Sequence, residues 1–311
     1  KSNLNPFPCM KSYLLCTVLL FCVLLQGQQV PDTLFAPPIP NPAYQEQSGP
    51  VILIDEGHHN FHTKDGRYTA FSRLLERDGY KVESSRGTFG FNTLEGARIL
   101  VISNALHSTN VQNWYLPTPS AFEVEEIEFL RNWVHQGGRL FLIADHMPLA
   151  GAAADLAAAF GFEFTNGYVL DDRGGGPAFF SLEDRNLHPS IITKGRNSSE
   201  SLTQVTTFTG QAFKIPDQAK PVLTFSENFT NFLPDTAGVF TAKTPRIPAA
   251  GYHQGAFMDY GKGKLFVSGE AAMFSAQLAG PEKWKMGMNN PQAPQNYQFL
   301  LNIIHWLDDQ L

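Results

Sequence analysis

Beyond its first 27 residues the chain has no cysteine, since Cys9, Cys16 and Cys22 are the full set. Everything after them is therefore without disulfides, thiol nucleophiles or thiolate metal ligands. A chain this long has core enough to do without disulfides. Charge is also sparse. Only 17% of residues are charged, the net charge is −6, and no stretch is rich in Lys and Arg. That argues against a nucleic-acid-binding surface. There is no internal repeat, no G-x-S-x-G elbow and no H-E-x-x-H, so neither of those hydrolase signatures applies. What remains is an ordinary globular composition, 43% hydrophobic over 311 residues, enough for one large domain or two small ones.

Residues 10–27, MKSYLLCTVLLFCVLLQG, have Lys11 ahead of an apolar run from Leu14 to Leu25. This is the form of a secretory signal peptide, and the run is short for a membrane span of about 20 residues. The expectation is an exported protein, periplasmic or secreted, with no stable membrane span after cleavage. Residues 1–27 are then an extension plus signal. Residues 28–50, rich in Pro and Gln, are a linker, and residues 51–311 form a single α/β domain.

From Val51 short apolar runs alternate with helical spacing. Val51–Asp55, Tyr80–Val82, Arg98–Ser103, Leu140–Ala144 and Lys264–Ser268 read as buried strands, the last in a hairpin with Gly255–Tyr260. Helices are expected over Tyr68–Asp78, from a Ser120/Glu123 capping box to Gly137, over Ala150–Phe160, Ala271–Leu278 and Asn296–Leu307. Alternation of this kind predicts a doubly wound, mostly parallel sheet of Rossmann or flavodoxin type, with right-handed crossovers. Residues 171–248 read as loops and antiparallel additions to it.

Ionisable residues gather where strands end. Val51–His62, VILIDEGHHNFH, runs from a strand into two carboxylates and three histidines. Asp145 and His146 follow the Leu140 strand, and Glu270 follows the Lys264 strand. In a parallel sheet such ends share one edge, where ligands bind. Asp55 with His58 and His59 is a candidate ligand set for a divalent metal, Zn²⁺ by donor type, which would activate a water. Adjacent His58 and His59 face opposite ways on an extended chain, so one of them at most is a direct ligand. Asp145, His146 and Glu270 are the catalytic candidates. Without a metal, His146 held by Asp145 or Glu270 is a general base, with Ser103 or Ser268 as nucleophile. Asp at a strand end also serves simply as a loop cap. Spacing places His62 at the surface or behind the site and His188 in a turn. His107, His135, His253 and His305 read as structural or solvated.

The segments DEGHHNFH, WVHQGGRLFLIADH, HPSIITKG, GKGKLFVSGEAAMF and NYQFLLNIIHWL, in that order, resemble the class I glutamine-amidotransferase-like superfamily. The likeness is to its exported bacterial branch of unknown function, related to GIFT-type domains, and spans about residues 50–308. It implies a flavodoxin-like fold. Amidotransferases of the superfamily carry a cysteine on the turn that here holds Asp145-His146, so glutamine hydrolysis by that route is excluded. Two readings follow. One is a metal-assisted hydrolase of a small or carbohydrate-like substrate. The other is a non-catalytic domain that binds a ligand or a protein partner through the same cleft.

Overall fold

In a parallel strand buried on both faces, successive apolar side chains go to opposite layers. The computed structural model, which describes residues 29–311, has this arrangement at its centre. The expected signal segment, residues 1–27, lies outside the described residues. Five strands run parallel in the order Lys81–Ser85, Val51–Asp55, Ala97–Ser103, Arg139–Ile143 and Gly263–Ser268. His253–Tyr260 then joins antiparallel to the last of these and carries Phe213–Lys214 and Lys220–Thr224 beyond it. The nine-stranded sheet is thus mixed, half parallel and half antiparallel, where the sequence predicts a mostly parallel one.

Odd and even positions divide the core in two. Ile52, Ile54, Val101, Phe141 and Phe266 face Phe71, Leu74 and Leu75 of Thr69–Arg77, and Ile303 and Ile304 of Asn296–Leu307. Leu53, Leu100, Ile102, Leu140 and Leu142 face Leu130 and Val134 of Val124–His135, and Leu156 of Ala154–Ala158. Each fully buried Leu or Ile here contributes roughly 1.5–3 kcal/mol of transfer free energy. At the C-terminus, His305 Nε2 lies 2.6 Å from Asp78 Oδ2 with both side chains fully buried, so this histidine is structural.

The α/β pattern is as expected, and local detail departs from it in four places. The capping box is Glu123 with Glu126, because Ser120 Oγ is taken by Phe122 N in a tight turn. The Ala-rich segment breaks at Ala153 into Leu149–Ala152 and Ala154–Ala158. Residues 271–278 form one 3₁₀ turn, Ala272–Phe274, followed by the strand Ala276–Ala279. That strand pairs with Trp284–Gly287 on one side and with Gln29–Pro31 on the other. The stretch read as a linker therefore supplies a strand, and distant pairing overrides local helical preference. Beyond that strand, Tyr44 of the same stretch donates its hydroxyl to Asp308 at 2.5 Å. The middle of the chain adds antiparallel ribbons, including Tyr168–Asp171 with Phe229–Phe232 and Ala178–Ser181 with Gln204–Thr207.

Candidate functional site

Parallel registry puts Asn104, Asp145 and Glu270 at one edge, since Ser103 and Ser268 both pair with Ile143, while Asp55, one residue past the Ile54–Val101 pair, lies behind them. A cavity of about 180 Å³ opens there. Its polar lining includes His62, Asn104, Asp145, His146, Glu270 and Gln277, and Phe61, Trp114 and Met286 supply apolar wall. The volume is below the roughly 300–1,000 Å³ usual for drug-sized ligands, which fits a molecule no larger than a simple sugar.

Asn104 knots the edge together. Its backbone adopts φ +52°, a left-handed conformation that Asn tolerates better than most residues. Its carbonyl oxygen accepts from Phe61 N at 2.9 Å. Its side-chain oxygen accepts from Asp145 N at 2.8 Å, and its amide meets His62 Nδ1 at 3.1 Å. Asp145 Oδ1 accepts from His146 N at 2.7 Å and Oδ2 from Ala271 N at 3.2 Å, joining the third strand end to the second.

His146 stacks on Tyr168 with ring centroids 4.0 Å apart. Its Nδ1 lies 2.9 Å from the Met147 carbonyl, which can only accept, so the ring proton is there. Nε2 keeps its lone pair and sits 3.9 Å from Asp145 Oδ1. Glu270 is fully buried. Its Oε2 accepts from Met273 N at 2.7 Å. Oε1 has no well-formed hydrogen bond among the described residues. Burial first, and the Asp145 charge second, push this carboxyl well above the usual range, outweighing nearby backbone amides that include Met273 and Phe208. Gly210 makes room for it. A Cβ there would lie 2.8 Å from Glu270 Cβ and closer still to Gly269 O, and φ is +98°.

The residues expected to hold a metal are placed elsewhere. Asp55 and His58 are buried against each other behind the edge, and none of Asp55, His58 and His59 lines the cavity. His58 Nδ1 is 3.0 Å from Asp55 Oδ1, and Nε2 is 3.0 Å from Glu126 Oε1. Burial opposes its charge, but the two carboxylates outweigh burial and raise its pKa. A ring with both nitrogens engaged has no lone pair for a metal. Asp55 also accepts from Gly57 N and Asn60 Nδ2. His59 is exposed, at φ +48°. These three residues do not fit a metal as a set, and among the described residues no group of three His, Cys, Asp or Glu is arranged to hold one.

The catalytic candidates Asp145, His146 and Glu270 do share the cavity. Ser103 and Ser268 are buried, donating to Tyr68 Oη and to the Glu270 carbonyl. His188 is tied to Thr224 Oγ1 at 2.7 Å, off the cavity lining. Spacing puts His62 at the surface or behind the site. Instead it is 3% exposed and lines the cavity, its Nε2 without a partner among the described residues. Burial, helped by Arg67, lowers its pKa to about 3. Gln29, Trp114 and Gln277 also escape sequence reading. They come from the lead-in, a loop and the misread helix, and no local pattern marks them.

No protein-family model and no curated protein matches the sequence. Solved structures do. The mmIFT52 N-terminal domain is 16% identical, with 82% of this chain and 96% of that one covered and a TM-score of 0.57. A protein described as ThuA-like from Bacteroides uniformis ATCC 8492 is 9% identical over 88% of this chain and 94% of its own, at TM-score 0.44. Cytoplasmic protein STM3548 from Salmonella typhimurium is 14% identical over 83% of this chain and 98% of its own, at TM-score 0.46. The first of these shows a shared fold.

Proposed function

We propose that the protein is a hydrolase of a small, carbohydrate-like substrate held in the strand-end cavity. One observation carries this reading. Three buried polar atoms from separate elements, His62 Nε2, Glu270 Oε1 and Gln277 Oε1, have no partner among the described residues, and all three residues line the same cavity. Unpaired buried polar atoms each cost about 1–3 kcal/mol, and their concentration at one place is what a ligand of matching polarity would relieve. Beside them, His146 Nε2 offers a lone pair to a water, with Asp145 placed to stabilise the imidazolium that forms. Glu270, whose carboxyl burial and the Asp145 charge push toward the neutral form, hydrogen-bonds the oxygen that gains charge. Trp114 gives an apolar wall for the carbon face of a sugar-sized ring.

The chain fits best as a branch of the class I glutamine-amidotransferase-like superfamily, GIFT-related, without the catalytic cysteine, and as an exported protein. The fold shared with the mmIFT52 N-terminal domain and the order of the sequence segments support the first. Residues 10–27 support the second. No step here passes through a metal.

The test is turnover of a panel of small sugar esters, lactones and nitrophenyl glycosides by purified protein, with elemental analysis alongside. His146→Asn is expected to lower kcat by about 10²–10⁴-fold at unchanged stability. A protein that turns over none of them and binds none, or one carrying stoichiometric zinc whose removal abolishes turnover, would overturn the reading.

A further inference from the structure

The hydrogen-bonding polarity of the cavity follows from groups whose roles cannot reverse. The Asp145 backbone N–H can only donate, so the Asn104 atom 2.8 Å from it is the oxygen. The atom facing His62 Nδ1 at 3.1 Å is then the Asn104 amide, a donor. His62 Nδ1 therefore accepts, and a neutral His62 carries its proton on Nε2. Glu270 is read the same way. Met273 N–H donates to Oε2, so the proton of a neutral Glu270 sits best on Oε1, the oxygen without a well-formed hydrogen bond among the described residues. Ser275 Oγ donates to the Ala272 carbonyl and so accepts from Gln277 Nε2, which leaves Gln277 Oε1 as an acceptor.

Residues that line the cavity thus carry two donors in their neutral forms, His62 Nε2–H and Glu270 Oε1–H, and one acceptor, Gln277 Oε1. Tyr68 joins the two donors. Its ring packs on His62 at 4.6 Å and its hydroxyl donates to Ala271, next to Glu270, at 3.3 Å. A leaving oxygen in acetal cleavage needs one acid that gives up its proton; a neutral Glu270 would serve, but the His62 N–H, a very poor acid, would have no role beside it. Paired donors that keep their protons instead suit an oxygen with two lone pairs that gains charge and then loses it, the oxygen of a carbonyl.

We infer that the substrate is a small lactone or ester and that His62 and Glu270 polarise its carbonyl oxygen. This rests on the hydrolase reading above and names its substrate class. His146 Nε2 takes a proton from water as the water oxygen bonds to the carbonyl carbon. The C=O electron pair moves to oxygen, and the oxyanion sits between His62 Nε2–H and Glu270 Oε1–H. Collapse restores C=O and breaks the carbon–alkoxy oxygen bond. The departing oxygen takes the proton back from His146, giving a hydroxy acid, or an acid and an alcohol, and unchanged protein.

The experiment compares three probes. δ-Valerolactone is followed by pH-stat, and p-nitrophenyl β-D-xyloside serves as its acetal counterpart. δ-Valerolactam, an unreactive carbonyl stand-in, is followed through the ¹⁵N and ¹H signals of the His62 ring. The lactone is expected to turn over and the xyloside not, and the lactam is expected to shift a His62 ring already in its Nε2–H form. His62→Phe and Glu270→Leu should each lower lactone kcat/KM by about 10²-fold or more. Glu270→Gln, which turns an N–H toward the same point, should lose under about tenfold. Xyloside turnover without lactone turnover overturns the carbonyl assignment and leaves a hydrolase. A lactam shift without lactone turnover overturns the hydrolase reading and leaves a carbonyl-binding site. Absence of turnover together with an unmoved His62 overturns both.

Discussion

Replacing His62 with Phe should change how the protein responds to acid. In the folded chain burial lowers the His62 pKa to about 3 from the ordinary 6.5. A depressed folded pKa means that the unfolded chain binds the proton first. The contribution is therefore full above about pH 6.5 and is lost as pH falls toward 3. Between pH 7 and about pH 4.5 it weakens by about 2–3 kcal/mol in wild type. Phe keeps the ring that packs on Tyr68 and Phe61 but has no proton to bind. His58 has the opposite shift, since Asp55 and Glu126 raise it, and it is common to both proteins, as are the carboxylates. The difference between the two pH profiles isolates His62. Urea unfolding at pH 7 and pH 4.5 reads it as a change in midpoint multiplied by m. His62→Phe should be the less stable protein at pH 7, where the Asn104 amide loses its acceptor, and the two profiles should converge on acidification. Equal losses in both proteins would refute the buried, neutral placement of His62, and His62→Gln gives a second comparison.

Two more outcomes follow from the packing. His58→Ala removes the ring between Asp55 and Glu126 and leaves two buried carboxylates facing a void, which should cost about 3–5 kcal/mol; an unchanged urea midpoint would show that the ring is not held between them. Gly210→Ala must adopt φ +98° with its Cβ against Gly269 O and Glu270 Cβ, which should cost about 1–3 kcal/mol and lower lactone turnover together with stability; wild-type values for both would dissociate Gly210 from the seat of Glu270.

The residues themselves determined the layers. Strict alternation in Val51–Asp55 and Arg139–Ile143 sends Ile52 and Phe141 to one core and Leu53 and Leu140 to the other, and that period depends only on backbone geometry. The strand ends carrying Asp145, His146 and Glu270 were legible for the same reason, because buried runs stop where polar residues begin. What remained for tertiary structure was everything set by pairing between distant segments. Ala276–Ala279 has the composition of a helix and becomes a strand because Gln29–Pro31 and Trp284–Gly287 flank it, and this brings Gln29 and Gln277 to the cavity wall. In VILIDEGHHNFH either His58 or His59, with Asp55, looked like the ligand. His58 lies instead between Asp55 and Glu126, a partner 68 residues away, while His62 turns to the cavity because Asn104 holds its Nδ1. Spacing limits which side chains can meet. Which atoms of a meeting group stay free is decided by its other hydrogen bonds, and those come from elsewhere in the chain.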